Sequence, residues 1–250
     1  MFRPRIIPVL LVRQGGLVKS EKFRRHRYIG DPINAVRIFN DLKADEIVLL
    51  DIDATRDGRR ISTDLVNDVG EEAFMPFAVG GGVRTLDDIG ALVEAGAEKI
   101  VIGTAAGLNA RFVREAADTF GTSTIAVCID YREGWFGRAG VFVRNGSLRI
   151  RSEPVEFAKM IEDQGAGEII VQCIDRDGTY SGYDVKMVRS MSSSIAIPVV
   201  ALGGASGPED LRDVVNYANA SAAAAGSLFV YKGMNQGVLI NYPREKILCK

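Results

Sequence analysis

Aspartates close several apolar segments of this sequence, and a carboxylate in such a position is a candidate for proton transfer. The five are Asp51, Asp53, Asp130, Asp175 and Asp177. General acid–base catalysis often uses two groups whose pKa values differ, one on each side of a substrate. Asp130 ends the segment STIAVCID and is the best placed of the five to act as such a group.

The segment PRIIPVLLVRQGG (4–16) lacks an acid where one would pair with Asp130. The two halves of the chain align at an offset of about 120 residues, and in that register Leu11 is the counterpart of Asp130. Because a leucine cannot exchange a proton, the sequence keeps one member of a possible acid pair.

Glycines and small hydroxyl residues follow the apolar segments at the same ends. They occur in VGGGVRT and IGTAAG in the first half, and in IDRDGT, LGGAS and AAGS in the second. Glycine lets backbone N–H groups approach an anion closely, and a following helix N-terminus adds a favourable field. A single loop of this kind could be a tight turn only, but two matching sets predict a pair of phosphate or similar anion sites.

Charged residues stand at the opposite ends of four segments, as Arg5, Glu46, Lys99 and Glu168. In a barrel of parallel strands, these two bases and two acids would meet at the bottom. They could form a salt-bridged plug. Buried ion pairs are costly, however, and apolar replacements are often neutral or stabilising. A neutral ring that can open is therefore the functional alternative.

Short apolar runs that alternate with amphipathic stretches would position these groups. The candidate strands are RIIPVLLV (5–12), EIVLLDID (46–53), PFAVGG (76–81), KIVIGT (99–104), STIAVCID (123–130), EIIVQCID (168–175), IPVVALGG (197–204) and SAAAAGS (221–227). Helical patterns lie between them, and the first begins with Asp31 as N-cap and Pro32. Eight such strands predict a single (β/α)8 TIM barrel over residues 1–250, with its active site at the C-terminal ends of the strands.

The chain also repeats itself. LLDIDATRDGR (49–59) is similar to VQCIDRDGTYSG (171–182), FAVGGGVRTLDD (77–88) to VALGGASGPEDL (200–211), and VIGTAAG (101–107) to AAAGSLF (223–229). These matches predict two duplicated half-barrels, about 1–120 and 121–250.

Composition excludes several classes of function. The chain has 31 basic and 32 acidic residues, which argues against a nucleic-acid-binding protein. The basic run KFRRHR (22–27) would be a solvated loop or a mobile loop that closes on an anionic substrate. No apolar run reaches the roughly 18 residues of a membrane span, and IIPVLLV does not read as a signal peptide.

Cysteine and histidine usage narrows the chemistry further. Cys128, Cys173 and Cys249 show no paired spacing and suit a reducing compartment, so we expect a cytoplasmic protein. The single histidine, His26, excludes a His-rich metal site. We expect neither a metal nor a cofactor.

The sequence resembles the cyclase subunit of imidazole glycerol phosphate synthase along essentially its whole length. The resemblance rests on RIIPVLLV, LLDIDAT, VGGGVRT, AVCID, IDRDGTYSGYD and GGASGPEDL. It implies a duplicated (β/α)8 barrel that receives ammonia from a separate glutaminase subunit at its bottom. It also implies that ammonia travels along the axis to the top, where a bis-phosphorylated ribonucleotide is cleaved and cyclised.

The resemblance also implies roles for individual residues. Arg5, Glu46, Lys99 and Glu168 match the family's ring of charges at the ammonia entrance. The two phosphate sites map onto Gly82, Gly103 and Thr104 in one half, and onto Gly178, Gly203, Gly204, Gly226 and Ser227 in the other. Lys19 matches a loop lysine that helps hold the substrate, and Asp51 and Asp177 join the binding residues. Asp130 matches one catalytic aspartate, whereas the family has an aspartate at Leu11 and an asparagine at Gly103.

Three functions remain open. In the first, the chain resembles paralogues in bacterial surface-polysaccharide clusters, on RIIPVLLVRQGGLVKS, YIGDPINAVRIFNDL and the tail GSLFVYKG…GVLINYP. The barrel would then conduct ammonia for an ATP-using sugar amidotransferase that forms an acetamidino group.

The alternative is the cyclase of histidine biosynthesis, which forms imidazole glycerol phosphate and AICAR. Asp51 or Lys19 would then replace the lost acid. The third possibility is a scaffold that activates its glutaminase and conducts nothing.

Overall fold

A closed barrel of eight parallel strands forms the centre of the molecule. The computed structural model describes residues 4–134, 138–232 and 237–243. The barrel strands are β1 (Arg5–Arg13), β4 (Ile47–Asp51), β5 (Phe77–Gly80), β6 (Lys99–Ile102), β7 (Ile125–Arg132), β10 (Glu168–Cys173), β11 (Val199–Leu202) and β12 (Ala222–Ala225). They pair in that order, and β12 pairs with β1 to close the ring. The predicted (β/α)8 fold is confirmed.

Helices surround the barrel in the described chain, and the short helix Thr104–Leu108 lies at the mouth. They are α1 (Pro32–Asp41), α2 (Thr63–Glu72), α3 (Leu86–Glu94), α4 (Thr104–Leu108), α5 (Arg111–Phe120), α6 (Pro154–Asp163), α7 (Val185–Ser192), α8 (Pro208–Ala218) and α9 (Ser227–Val230). The side chain of Asp31 accepts a hydrogen bond from the Asn34 N–H and Pro32 opens α1, as the sequence predicts. The apolar faces of the helices and the outward strand residues form the main core.

Two hairpins rise from the C-terminal ends of barrel strands. The first joins β2 (Gly16–Glu21) to β3 (Arg24–Gly30), and the second joins β8 (Gly140–Val143) to β9 (Leu148–Arg149). The basic run 22–27 is therefore the turn and second strand of a hairpin, and not a loop. The short strands β13 (Tyr231–Lys232) and β14 (Gly237–Val238) pair antiparallel.

Side chains alternate between the two faces of each barrel strand, so every second residue lines the axis. A separate inner cluster contains such residues as Ile7, Val9, Val48, Ala126 and Ile170. Because Arg5 and Glu168 share a face with Ile7 and Ile170, a row of apolar residues connects the charged bottom of the barrel with its top.

The two halves contribute four barrel strands each, β1 to β6 and β7 to β12. The half-barrel boundary near residue 120 stays a prediction. None of the helices in the described part of the chain has the length and apolarity that crossing a bilayer requires. Cys128 and Cys173 are free thiols, and Cys249 lies outside the described residues.

Candidate active site at the barrel mouth

A pocket of about 260 Å³ opens at the C-terminal ends of the strands. Residues near the C-terminal ends of the strands that face the barrel axis line this pocket: Leu11 on β1, Gly103 after β6, Asp130 on β7 and Gln172 on β10. β1 and β7 lie opposite each other in the ring of eight strands. Leu11 and Asp130 therefore face the pocket from opposite sides.

Asp130 is the acid in this pocket that has no cationic partner in the described chain. Its carboxylate accepts one hydrogen bond, from Cys128 Sγ at 3.3 Å. Burial raises the pKa of Asp130 from 3.8 to about 7; the thiol works against that shift and the negative charge of Asp177 adds to it. A carboxyl with a pKa near neutrality can both take up and release a proton at physiological pH.

Three of the other candidate acids are held by arginines. Asp51 accepts from Arg59 Nη1 at 2.5 Å and from the backbone N–H groups of Asp53 and Ala54. Asp53 pairs with Arg13 Nε at 3.2 Å and also with Arg56. Asp175 pairs with Arg132 at 3.0 Å. These contacts hold the loops at the mouth in place, and the three carboxylates are engaged by arginines.

The predicted first-half anion residues lie in the wall of this pocket. Gly82 has φ +69, and a side chain there would overlap the carbonyl oxygen of Arg59. A Cβ on Gly103 would come no closer than 3.9 Å to any neighbour. Thr104 begins α4, and its hydroxyl accepts from the Arg144 N–H at 3.0 Å. Packing at position 82 thus leaves no room for a side chain, whereas a side chain at position 103 would point into open space.

The predicted second-half anion residues lie outside the lining of this pocket. Gly178 approaches the backbone of Ser20, and Gly204 approaches that of Gly182, so closely that neither has room for a Cβ. Gly203 has φ +95. Gly226 follows β12, and Ser227 begins α9.

Lys19 fills the space beside Gly226. It projects from β2 into the barrel, is 4% exposed and donates to the carbonyl oxygen of Val9. A Cβ on Gly226 would lie 2.5 Å from Lys19 Nζ. Burial lowers the pKa of Lys19 from 10.5 to about 8, and the negative charge of Asp177 opposes that shift. Lys19 is therefore an internal residue here, and it does not line the pocket.

Asp177 connects Lys19 with the pocket wall. Its carboxylate accepts from Ser20 Oγ at 3.1 Å and from Gln172 Nε2 at 3.4 Å. Burial raises the pKa of Asp177, while Lys19 and Ser20 lower it, and the net result is a rise. Ser20 and Gln172 line the pocket, so this cluster borders the site without facing it directly.

The four charged residues at the opposite end of the barrel form one ring of ion pairs. Arg5 bridges Glu46 and Glu168. Lys99 bridges the same two carboxylates, at 3.1 Å to Glu46 and 3.0 Å to Glu168. Both glutamates are buried, at 3% and 6% exposure. Burial disfavours a charged guanidinium, but Glu168 and Glu46 more than compensate and raise the pKa of Arg5.

Comparison with known proteins identifies the family of this chain. The family model described as "Histidine biosynthesis protein" matches residues 5–235. The chain belongs to this family.

Three relatives agree along nearly the whole chain. The imidazole glycerol phosphate synthase subunit HisF of Alkaliphilus metalliredigens is 41% identical and covers 92% of each chain. The subunit of the same name from a Hydrogenobaculum species is 40% identical over 98% of this chain and 97% of its own. A protein of Pseudomonas aeruginosa that is provisionally named as such a subunit is 44% identical over 97% of both chains.

These findings confirm the predicted resemblance to imidazole glycerol phosphate synthase. They give no support to the sugar-modifying branch. Histidine biosynthesis, the alternative drawn from the sequence, is the better fit to the family and to the names of these relatives.

The sequence analysis did not identify several residues that line the pocket at the barrel mouth. Arg13, Gln172 and Asn145 line the pocket, and the Asn145 side chain donates across the mouth to the carbonyl oxygen of Ile52. The dipeptide Asn145–Gly146 between apolar, alternating segments is a strong hairpin signal and could have revealed β8 and β9. In the described chain, no group of three or more His, Cys, Asp and Glu side chains is arranged to hold a metal ion.

Proposed function

We propose that this chain is the cyclase subunit of an imidazole glycerol phosphate synthase. Ammonia and a bis-phosphorylated ribonucleotide would meet at the barrel mouth and yield imidazole glycerol phosphate and AICAR. The observation that carries the proposal is the mouth itself: Asp130, with a pKa near 7 and no cationic partner among the described residues, in a pocket bordered by glycine loops.

Asp130 is the proton-transfer group of this proposal. Of the two substitutes for the missing acid, Asp51 is the weaker, because Arg59 and two backbone N–H groups occupy its oxygens. Lys19 has a pKa of about 8 and could exchange protons at neutral pH, but it is buried behind the pocket wall. We therefore assign ring closure to Asp130, the acid lining the pocket that has no cationic partner among the described residues.

The ring of Arg5, Glu46, Lys99 and Glu168 is proposed as the ammonia entrance. A separate glutaminase subunit would dock at this end of the barrel and release ammonia there. Beyond the ring, the axis is lined by apolar residues such as Ile7, Val48 and Ile170. An apolar passage favours neutral ammonia over the ammonium ion, since transfer of an unpaired charge into such surroundings is costly.

A steady-state assay of the purified chain with the ribonucleotide and a saturating ammonium salt tests the proposed reaction. External ammonium replaces the glutaminase, so the assay isolates the chemistry at the mouth. Turnover that is lost in Asp130→Asn supports the proposal. A folded wild-type protein without turnover contradicts it.

Leu11 favours a second candidate function, in which ammonia leaves the barrel for a sugar amidotransferase that makes an acetamidino group. The ring-closing acid would then be dispensable. Leu11→Asp separates the two candidates in the same assay. A cyclase that works with Asp130 alone gains rate when the second acid returns, whereas an ammonia-conducting subunit remains inactive.

Lys99→Ala tests the entrance in the assembled complex with the glutaminase. Its removal leaves Glu46 and Glu168 facing each other, with Arg5 as their one shared partner among the described residues. We expect glutamine-driven turnover to change while ammonium-driven turnover is kept. Lys159→Ala, which removes an exposed lysine paired with Glu156 on α6, is the control. An unchanged glutamine-driven rate in Lys99→Ala would refute the entrance assignment and would favour a scaffold role.

A further inference from the structure

Cys128 precedes Asp130 by two residues on β7, so both side chains face the axis of the barrel. Both line the pocket, and Cys128 Sγ lies 3.3 Å from Asp130 Oδ1. Within the described residues this is the single hydrogen bond that the Asp130 carboxyl makes. One carboxyl oxygen is thus engaged by the strand's own thiol, and Oδ2 is left for a ligand.

The surroundings of Cys128 keep its thiol protonated. The side chain packs against the inner apolar cluster together with Leu11 and Leu50. Burial, and then the negative charge of Asp130, raises the pKa of Cys128 well above its usual value. A thiol in this state is a poor nucleophile and metal ligand, and it remains a weak hydrogen-bond donor across the physiological pH range.

We propose that Cys128 is a positioning residue for Asp130: its thiol holds Oδ1 and thereby fixes the orientation and the ionisation of the carboxyl that faces the pocket. The role in catalysis rests on the proposed cyclase function. The effect on the carboxyl is a property of the folded protein alone and can be tested separately.

Other charged groups line the pocket but are engaged elsewhere or do not shift the pKa of Asp130. Arg13 and Arg56 pair with Asp53, and Arg84 donates to the carbonyl oxygen of Gly58. His26 also lines the pocket, and its pKa is lowered by burial and by Arg13 and Arg56.

On β1 and β6 the facing positions are Leu11 and Gly103, which carry no charge. Asp51 on β4 is neutralised by Arg59. Asp177, after β10, opposes ionisation of Asp130, and Lys19 on β2 offsets part of that charge. The thiol is therefore the nearest group that stabilises the ionised form of Asp130.

The direct test is a carboxyl ¹³C NMR titration of Asp130, identified as the resonance that Asp130→Asn removes. Loss of a weak donor in Cys128→Ala should raise the apparent pKa of Asp130 by about half a unit. Cys128→Ser keeps a donor of similar size and should hold or lower that pKa. Cys173→Ala removes the other described thiol, on the neighbouring strand β10, and should leave it unchanged.

Unchanged Asp130 titration in Cys128→Ala would overturn the proposal, as would an equal shift in Cys173→Ala. Cys128→Ser also covers the case in which the alanine variant does not fold, because a pKa that rises in the serine variant contradicts the proposal too.

The pH dependence of the ammonium-driven rate gives a second readout. With Cys128→Ala the acidic limb should move to higher pH by the same half unit, whereas a residue that only fills space would change the rate equally at every pH. If the wild type lacks turnover, the cyclase proposal fails, while the NMR titration still decides the role of Cys128.

Discussion

The links that follow β6 and β12 have nearly the same backbone but different surroundings. Gly103 has φ −111 and ψ −86, and Gly226 has φ −105 and ψ −75. The glycine pairs Gly81–Gly82 and Gly203–Gly204 likewise all have positive φ. Yet the space beside Gly103 is open toward the pocket, whereas Lys19 from the first half fills the space beside Gly226.

The two halves also differ in the acid at equivalent strand positions. β7 supplies Asp130, and its counterpart on β1 is Leu11, which packs against the inner apolar cluster. The first half thus offers open space, and the second half carries the acid that we propose transfers the proton. The comparison teaches that two segments can share a backbone and still divide the work, because single side chains decide which loop is open and which strand carries an acid.

The largest expected effect is on catalysis at Asp130. Asp130→Asn should lower the ammonium-driven kcat by about 10²–10⁴-fold, the usual cost of losing a general acid or base. Leu11→Asn places the same amide at the counterpart position and should change kcat far less. Equal losses in the two variants, measured by steady-state kinetics, would mean that both sides of the pocket take part in the chemistry.

A smaller effect is expected on stability at the paired glycines. Gly226→Ala must displace Lys19 from its hydrogen bond to Val9, which should cost about 1–2 kcal/mol in the free energy of unfolding. An alanine at position 103 points into open space and should cost less. Any backbone strain from the alanine should be similar at both sites, because Gly103 and Gly226 have nearly the same φ and ψ. Urea denaturation gives the difference. It should disappear in a Lys19→Met background if the lysine causes it, and a persistent difference would contradict this explanation.

A stability effect of similar size concerns Lys19 and pH. An unfolded lysine binds its proton up to a pKa near 10.4, whereas folded Lys19 has a pKa of about 8. Above pH 8 the unfolded chain therefore holds more protons, and this lysine's unfavourable contribution to stability declines by about 1 kcal/mol per pH unit.

The stability difference between Lys19→Met and the wild type, measured by urea denaturation, should accordingly move in favour of the wild type between pH 8 and 9.5. Lys159→Met, at an exposed position, should show no such trend. A constant difference for Lys19→Met would mean that this lysine titrates normally in the folded chain.

The sequence predicts the barrel well because each strand is a short apolar run, and even the alanine-rich segment 221–227 contains the strand β12. The charged residues that begin four of these segments meet in one ring because parallel strands start at the same end of a barrel. The sequence also predicts that Cys128 lies beside Asp130, since a spacing of two residues along a strand places both side chains on the same face.

Other features depend on tertiary structure and could not be read from the sequence. The place of Lys19 depends on how the β2–β3 hairpin folds back over the second half of the mouth. The pairing of Asp51 with Arg59 depends on the conformation of the loop between β4 and α2. The resemblance to the cyclase subunit would place Lys19 on the substrate, and the structure buries it beside Gly226.

The measurement that tests the division of labour most directly is the dissociation constant of the bis-phosphorylated ribonucleotide for Asp130→Asn and for the wild type, in the absence of ammonia. If the second half supplies the chemistry and the first half the binding room, the two proteins bind the ribonucleotide equally well although the variant has lost turnover. An affinity that falls by the same factor as the rate would contradict this account and make Asp130 a binding residue.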